Sequence, residues 1–114
     1  MDSNKILISL VLPIHNEEGN IPELYARSKK VLSNIGGHEI IFVNDGSQDR
    51  SLEKLADICD KDKNIKVIDF SRNFGHQIAI TAGINHAIGQ TVVVMDSDLQ
   101  DPPEIISDLF IAWR

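Results

Sequence analysis

Two periodicities alternate along the chain. Ile6 to Leu12 (I-L-I-S-L-V-L) is a nearly continuous apolar run, the pattern of a strand buried on both faces. A loop over Pro13–Gly19 follows. From Ile21 the apolar positions fall at Ile21, Leu24, Tyr25, Val31, Leu32 and Ile35, which is helical spacing. Asn20 precedes that helix, Pro22 sits in its first turn and Gly36-Gly37 closes it, as start and stop signals should. The cycle then repeats. Glu39–Asn44 (E-I-I-F-V-N) reads as a second strand, and Asp49 as the cap of a helix with apolar face Leu52, Leu55, Ala56 and Cys59. Ile65–Phe70 is a third strand. Gly75–Ile88, rich in Ile and Ala, predicts a well-buried helix closed by Gly89. Thr91–Met95 is a fourth strand, and Pro103 opens a last helix that runs to Arg114.

Strands that alternate with helices in this way predict an α/β fold, with a parallel sheet wound by right-handed crossovers and helices on both faces. The apolar continuity of Ile6–Leu12 and Thr91–Met95 places the first strand inside the sheet, in the order 3-2-1-4. Ligands of such sheets bind outside the carboxyl ends of the strands. The segments to inspect are therefore those after Leu12, Asn44, Phe70 and Met95. The last helix ends still apolar, with Leu109, Phe110, Ile111 and Trp113. Either these pack on the sheet or the chain is the N-terminal part of a longer protein, and the second is the expectation.

Charge and composition narrow the function classes. Eleven basic against seventeen acidic residues give a net charge of −6, and no basic stripe exists, so nucleic acid is not an expected partner. No run of about 18 apolar residues spans a membrane, and polar Met1–Lys5 does not open a signal peptide. Cys59 is the only cysteine, which excludes an internal disulfide and makes a cytoplasmic setting the default.

The strand ends carry the candidate chemistry. After the first strand, Pro13-Ile14-His15-Asn16-Glu17-Glu18-Gly19 lacks the glycine-rich pattern that cradles a pyrophosphate. It is either a solvated acidic loop or a place where Glu17 accepts hydrogen bonds from a base or ribose. After the second, Asp45-Gly46 is turn chemistry wherever it occurs, yet a carboxylate there is also placed to grip a nucleoside. After the third, Ser71–His76 opens a helix whose Arg72 and Gly75 could meet an anion, or else is a loop with Phe74 packed. After the fourth, Asp96-Ser97-Asp98-Leu99-Gln100-Asp101 sets carboxylates at i and i+2, able to converge on one hard cation with the Gln100 amide nearby. Such a cation, magnesium or manganese, would reverse the local charge and hold a diphosphate leaving group. The EF-hand pattern fails, because it needs Gly at position 101 and Glu at 107 where Asp101 and Ser107 stand. His15, His38 and His86 show no metal-ligand spacing and read as structural or solvated.

Taken jointly, Val11–Glu18 (V-L-P-I-H-N-E-E), Ile40–Asp49 (I-I-F-V-N-D-G-S-Q-D), Ser71–Gln77 (S-R-N-F-G-H-Q) and Met95–Glu104 (M-D-S-D-L-Q-D-P-P-E) resemble the family 2 glycosyltransferases with the A-type fold. The likeness is strongest to polyprenyl-phosphate glycosyltransferases such as dolichol-phosphate mannosyltransferases and bactoprenol glucosyltransferases. It implies a Rossmann-like, mostly parallel sheet, the nucleotide-binding half of a nucleotide-diphospho-sugar transferase. By position, it also implies that Pro13, His15, Glu17 and Val43 line the nucleoside pocket, with Tyr or Phe usual in relatives where His15 stands here. Asp45 would contact the base. Asp96 and Ser97 would lie along the nucleotide, and Asp98 and Gln100, with Asp96, would hold Mg2+ or Mn2+. The donor implied is a UDP- or GDP-sugar and the acceptor a lipid phosphate, with work at the cytoplasmic face of a membrane. The general base is expected beyond Arg114, so the 114 residues alone are expected to bind donor rather than to transfer sugar. The alternative is a non-catalytic nucleotide-binding fragment lacking the base and acceptor site, or a fragment stable only by self-association through its last helix, a homo-oligomer. A nucleotidyltransferase would show a glycine-rich loop after the first strand, which is absent.

Overall fold

The structure is a computed structural model that describes residues 5–100 and 102–113; the side chain of Trp113, Asp101 and Arg114 lie outside the described residues. The elements are β1 (Ile8–Ile14), α1 (Ile21–Ile35), β2 (His38–Asn44), α2 (Ser51–Lys61), β3 (Ile65–Asp69), α3 (His76–His86), β4 (Thr91–Val94) and α4 (Ile105–Trp113). The strands form one sheet in the order β3-β2-β1-β4, all neighbours parallel. Chain order and sheet order are those the periodicity predicts.

Strand register divides the side chains between two faces. Leu10, Leu12, Ile40 and Phe42 pack with Leu24 and Leu32 of α1, Leu55 of α2, and Ile106 and Phe110 of α4. Val11, Ile41 and Val43 face the other way, against Ala79 of α3. α4 is further tied to α1 by the Arg27 guanidinium, which donates from Nε and Nη2 to both carboxylate oxygens of Glu104 at 3.1 and 2.6 Å. Of the four apolar residues that close the chain, Phe110 packs into the core, while Leu109 is exposed and Ile111 is 70% exposed.

β1 runs two residues further than its apolar run, taking in Pro13 and Ile14. A proline inside a central strand costs a ladder donor. Here it does not, because alternate residues of β1 face opposite neighbours. Val11 accepts from Met95 on the β4 side, and Ile14 accepts from Asp45 on the β2 side. Pro13 therefore faces β4, whose pairing with β1 ends at Val11↔Val94.

α3 corrects a second expectation. It is not well buried: only Ala79 and Gly83 are, while Ile78 and Ile84 are 51% and 46% exposed. The reason is geometric. A Cβ on Gly83 would stand 2.3 Å from Cγ1 of Val11, so the helix rests on the sheet along a stripe of small residues. Ile78 and Ile84 stay exposed, and Val92 and Val94 of edge strand β4, which share the Val11 face of the sheet, are exposed too.

One carboxylate gathers the amino-terminal ends of the strands. Glu39 of β2 is buried; its Oε2 accepts from the Ser9 hydroxyl at 2.6 Å and the Ile88 amide at 2.8 Å. Its Oε1 pairs with Lys66 of β3 at 2.7 Å. Burial alone would raise the Glu39 pKa, but the Ile88 amide, Lys66 and Ser9 outweigh it and hold the group below its usual 4.5. A folded-state pKa below the unfolded one contributes stability above the unfolded value, and that stability is lost as pH falls through the folded value. Glu39→Gln should therefore cost about 1–3 kcal/mol at neutral pH, with the gap to the parent protein narrowing below pH 4.5. Urea unfolding at a series of pH values checks this. A gap that stays constant into acid would show that the ionised form contributes nothing.

Candidate functional site

The carboxyl ends of the strands open into a cleft of about 380 Å3. Pro13, His15, Glu17, Asp45, Asp96, Ser97 and Asp98 all line it, as do Ile14, Asn73, Gly75 and His76. Seven of the nine predicted binding residues thus meet at one rim. Two do not. Val43 is fully buried beneath α3, because it pairs with Pro13 and shares the α3 face of the sheet. Gln100 is exposed and outside the cleft lining; its backbone N–H donates to Oδ1 of Asp98 at 3.1 Å, which closes a turn after the acidic pair.

The rim is held by side chains that replace ladder hydrogen bonds where the strands stop. Asn16 adopts a left-handed φ of 55°, a conformation that asparagine tolerates. Its amide donates to Ser47 Oγ at 3.0 Å, and its Oδ1 accepts from Gln48 at 2.7 Å. Glu17 donates its N–H to Ser51 Oγ at 3.0 Å, while its carboxylate accepts from Asn20 Nδ2 at 2.7 Å. Asn20 is therefore spent on Glu17 and does not cap α1 through its side chain. Asp49 stands just before α2, where its oxygens accept from the amides of Ser51 and Glu18 at 2.9 and 3.2 Å. Burial works against the Asp49 charge, but the Ser51 hydroxyl and amide and the Glu18 amide prevail and hold its pKa below the ordinary value.

His15 and Asp45 form the centre. A carbonyl only accepts, so the 2.8 Å contact from His15 Nδ1 to the Asp45 carbonyl places a proton on Nδ1. In the neutral ring Nε2 is then the acceptor, facing the side-chain amides of Asn16 and Asn73 at 3.3 and 3.5 Å. The Asp45 carboxylate is buried, and its oxygens accept from the amides of Phe74 at 2.7 Å and Gly75 at 3.1 Å. Asp45 thus holds the segment after β3 against the end of β2. Phe74 is not simply packed: it is exposed, edge-on to Phe70 and covered by the Arg72 guanidinium 4.5 Å from its ring centroid. The same segment brings in His76, whose Nε2 lies 3.5 Å from Asp96 Oδ1. Sequence reasoning passed over Asn73 and His76. Their signals were position, at the carboxyl end of the third strand, and their place in the Ser71–Gln77 stretch.

Asp96 and Asp98 both reach the cleft and both are exposed. No group of three or more His, Cys, Asp or Glu residues close enough to hold an ion exists among the described residues, and Asp101 lies outside them. No described helix is long and apolar enough to cross a membrane.

A model of glycosyl transferase family 2 matches residues 9–113. The chain belongs to this family. It is 51% identical over 113 residues to the glycosyltransferase YkcC of Bacillus subtilis, an alignment covering 98% of this chain and 35% of YkcC. It is 43% identical over 104 residues to the undecaprenyl-phosphate 4-deoxy-4-formamido-L-arabinose transferase of Pectobacterium carotovorum, covering 90% of this chain and 32% of that protein. The chain thus spans about a third of the length of these relatives. In three dimensions it superposes on the crystal structure of S. aureus TarS with a TM-score of 0.72 and 25% identity, over 91% of this chain and 31% of that one. TarS in complex with UDP-GlcNAc gives a TM-score of 0.68 at 26% identity, over 82% and 27%. The sheet and its helices are those of the A-type glycosyltransferase fold.

Proposed function

We propose that this chain forms the donor site of a glycosyltransferase that takes a nucleotide-diphospho-sugar and passes the sugar to a polyprenyl phosphate. The observation that carries the reading is the meeting of Asp45, Asp96 and Asp98 with Pro13, His15 and Glu17 in one cleft of a family 2 chain. TarS, a structural neighbour, holds UDP-GlcNAc, and a relative is named for transfer to undecaprenyl phosphate. In the transfer, a bond forms between an acceptor oxygen and the anomeric carbon while the bond from that carbon to the diphosphate breaks. Pro13, His15 and Glu17 line the nucleoside end, Asp45 accepts from the base, and Asp96 and Ser97 run along the nucleotide.

The acidic pair suits a divalent ion. Magnesium and manganese keep several waters and take one or two carboxylates together with substrate phosphates, and two exposed carboxylates at the cleft are such a donor set. Asp96 and Asp98 would hold the ion, with Gln100 at its margin; when bound, it would neutralise the diphosphate and support it as a leaving group. Asp98→Asn should accordingly remove the gain that manganese confers on UDP or GDP binding. The expected loss is at least the roughly 10–100-fold that follows removal of a merely supporting residue of a metal site. Titration calorimetry with manganese and with chelator measures it, and equal affinities of the parent protein in the two buffers would refute the metal role.

A further inference from the structure

The residues that line the cleft include the carboxylates of Glu17, Asp45, Asp96 and Asp98, and neither lysine nor arginine. An anion entering here must find its donors among backbone amides, the Ser97 hydroxyl, the Asn73 side-chain amide, a bound cation and two imidazoles. His15 is already engaged, with Nδ1 on the Asp45 carbonyl and Nε2 beside the Asn16 and Asn73 amides. His76 is not. Its side chain is 57% exposed, and Nε2 lies 3.5 Å from Asp96, outside hydrogen-bond geometry. It also stands at the first position of α3, which has no acidic residue in its first turn and no side-chain cap at Gly75. The Gly75 amide just before it is held by the Asp45 carboxylate at 3.1 Å, and His76 itself lines the cleft.

We infer that His76 is a donor-binding residue that contacts the diphosphate of the nucleotide-sugar through Nε2–H, opposite the acidic pair. The inference rests on the donor-site reading above. The Asp96 contact fits the same position: at 3.5 Å it is an approach rather than a hydrogen bond, and phosphate oxygens at shorter range can take Nε2–H in its place. Because the ring is exposed, its removal leaves no hole in the core, so an effect on binding would be local.

Calorimetric titration of the protein with UDP and with uridine, in manganese buffer, tests this. His76→Ala should weaken UDP binding about tenfold and leave uridine binding unchanged, as expected for one hydrogen bond to a charged group. His76→Gln, which keeps a side-chain N–H donor, should recover part of the loss, and unchanged melting temperatures confirm that both variants fold. Equal weakening of UDP and uridine overturns the inference and makes His76 a structural residue. An unchanged UDP affinity in His76→Ala overturns it while leaving the donor-site reading intact. A parent protein that binds neither UDP nor GDP overturns both.

Discussion

Gly46→Ala is expected to destabilise the protein by about 2–5 kcal/mol and to remove nucleotide binding along with the lost stability. Gly46 has a φ of +65°, and a Cβ built on it would stand 2.3 Å from the Asn73 nitrogen and 2.4 Å from the Arg72 carbonyl carbon. Two costs add. A left-handed alanine forfeits about 1–2 kcal/mol. The overlap adds about 1–3 kcal/mol more, because the atoms it meets are backbone and cannot turn away as a side-chain tip would. Relief requires the segment after β3 to lift off β2, which carries Asn73, Gly75 and His76 out of the cleft they line. Asparagine separates the two terms, since it tolerates the left-handed conformation but brings the same Cβ. Gly46→Asn should keep only the contact cost, about 1–3 kcal/mol, and fall between the parent and Gly46→Ala in urea unfolding. An asparagine variant as stable as the parent would show that conformation alone, and not contact, demands the glycine.

Asp45→Ala should act on the same seam from the other side. It strips the Phe74 and Gly75 amides of the carboxylate that accepts from both, at a cost of about 2–4 kcal/mol for bonds to a charged acceptor. Nucleotide affinity should fall further than nucleoside contact alone explains, because the segment that positions Asn73 and His76 loses its anchor. Asp45→Asn should be intermediate: one oxygen still accepts, while the new NH2 opposes the other amide. Paired with Gly46→Ala, the double variant should lose clearly less than the sum of the single losses, since both open one interface. Unfolding and UDP titration of all four proteins measure this cycle. Additive losses would mean that the two residues act independently, and that Asp45 is not the anchor described.

The path from sequence to cleft ran through topology. Runs such as Ile6–Leu12 and Glu39–Asn44, separated by helical spacings, admit few arrangements once crossovers are right-handed. The carboxyl-end rule then sends the residues after each strand to one rim. That is why His15, Glu17, Asp45 and Asp96–Asp98 are legible in the sequence: each sits within a few positions of a strand end, where sequence distance and spatial distance agree.

Elsewhere the pattern was ambiguous in identifiable ways. Val43 and Asp45 are two residues apart at the end of β2, but Val43 still obeys the strand alternation and goes under α3, while Asp45 has left it. In α3, apolar residues lie on all sides, so composition suggested burial all round; burial depends on what covers a surface, and among the described residues the sheet covers only the Ala79–Gly83 stripe. Glu39 read as one polar position in a strand, because its partners Ser9, Lys66 and Ile88 are remote in the chain. By itself the sequence determined the order of elements, the parallel sheet and the rim where chemistry belongs, since periodicity, chirality and strand ends are local properties. Only the tertiary structure decided that His76 faces Asp96 and that Asp45 clasps the Phe74 and Gly75 amides. Those pairs are joined across strands and an intervening helix, and no spacing along the chain encodes which side chain arrives opposite which.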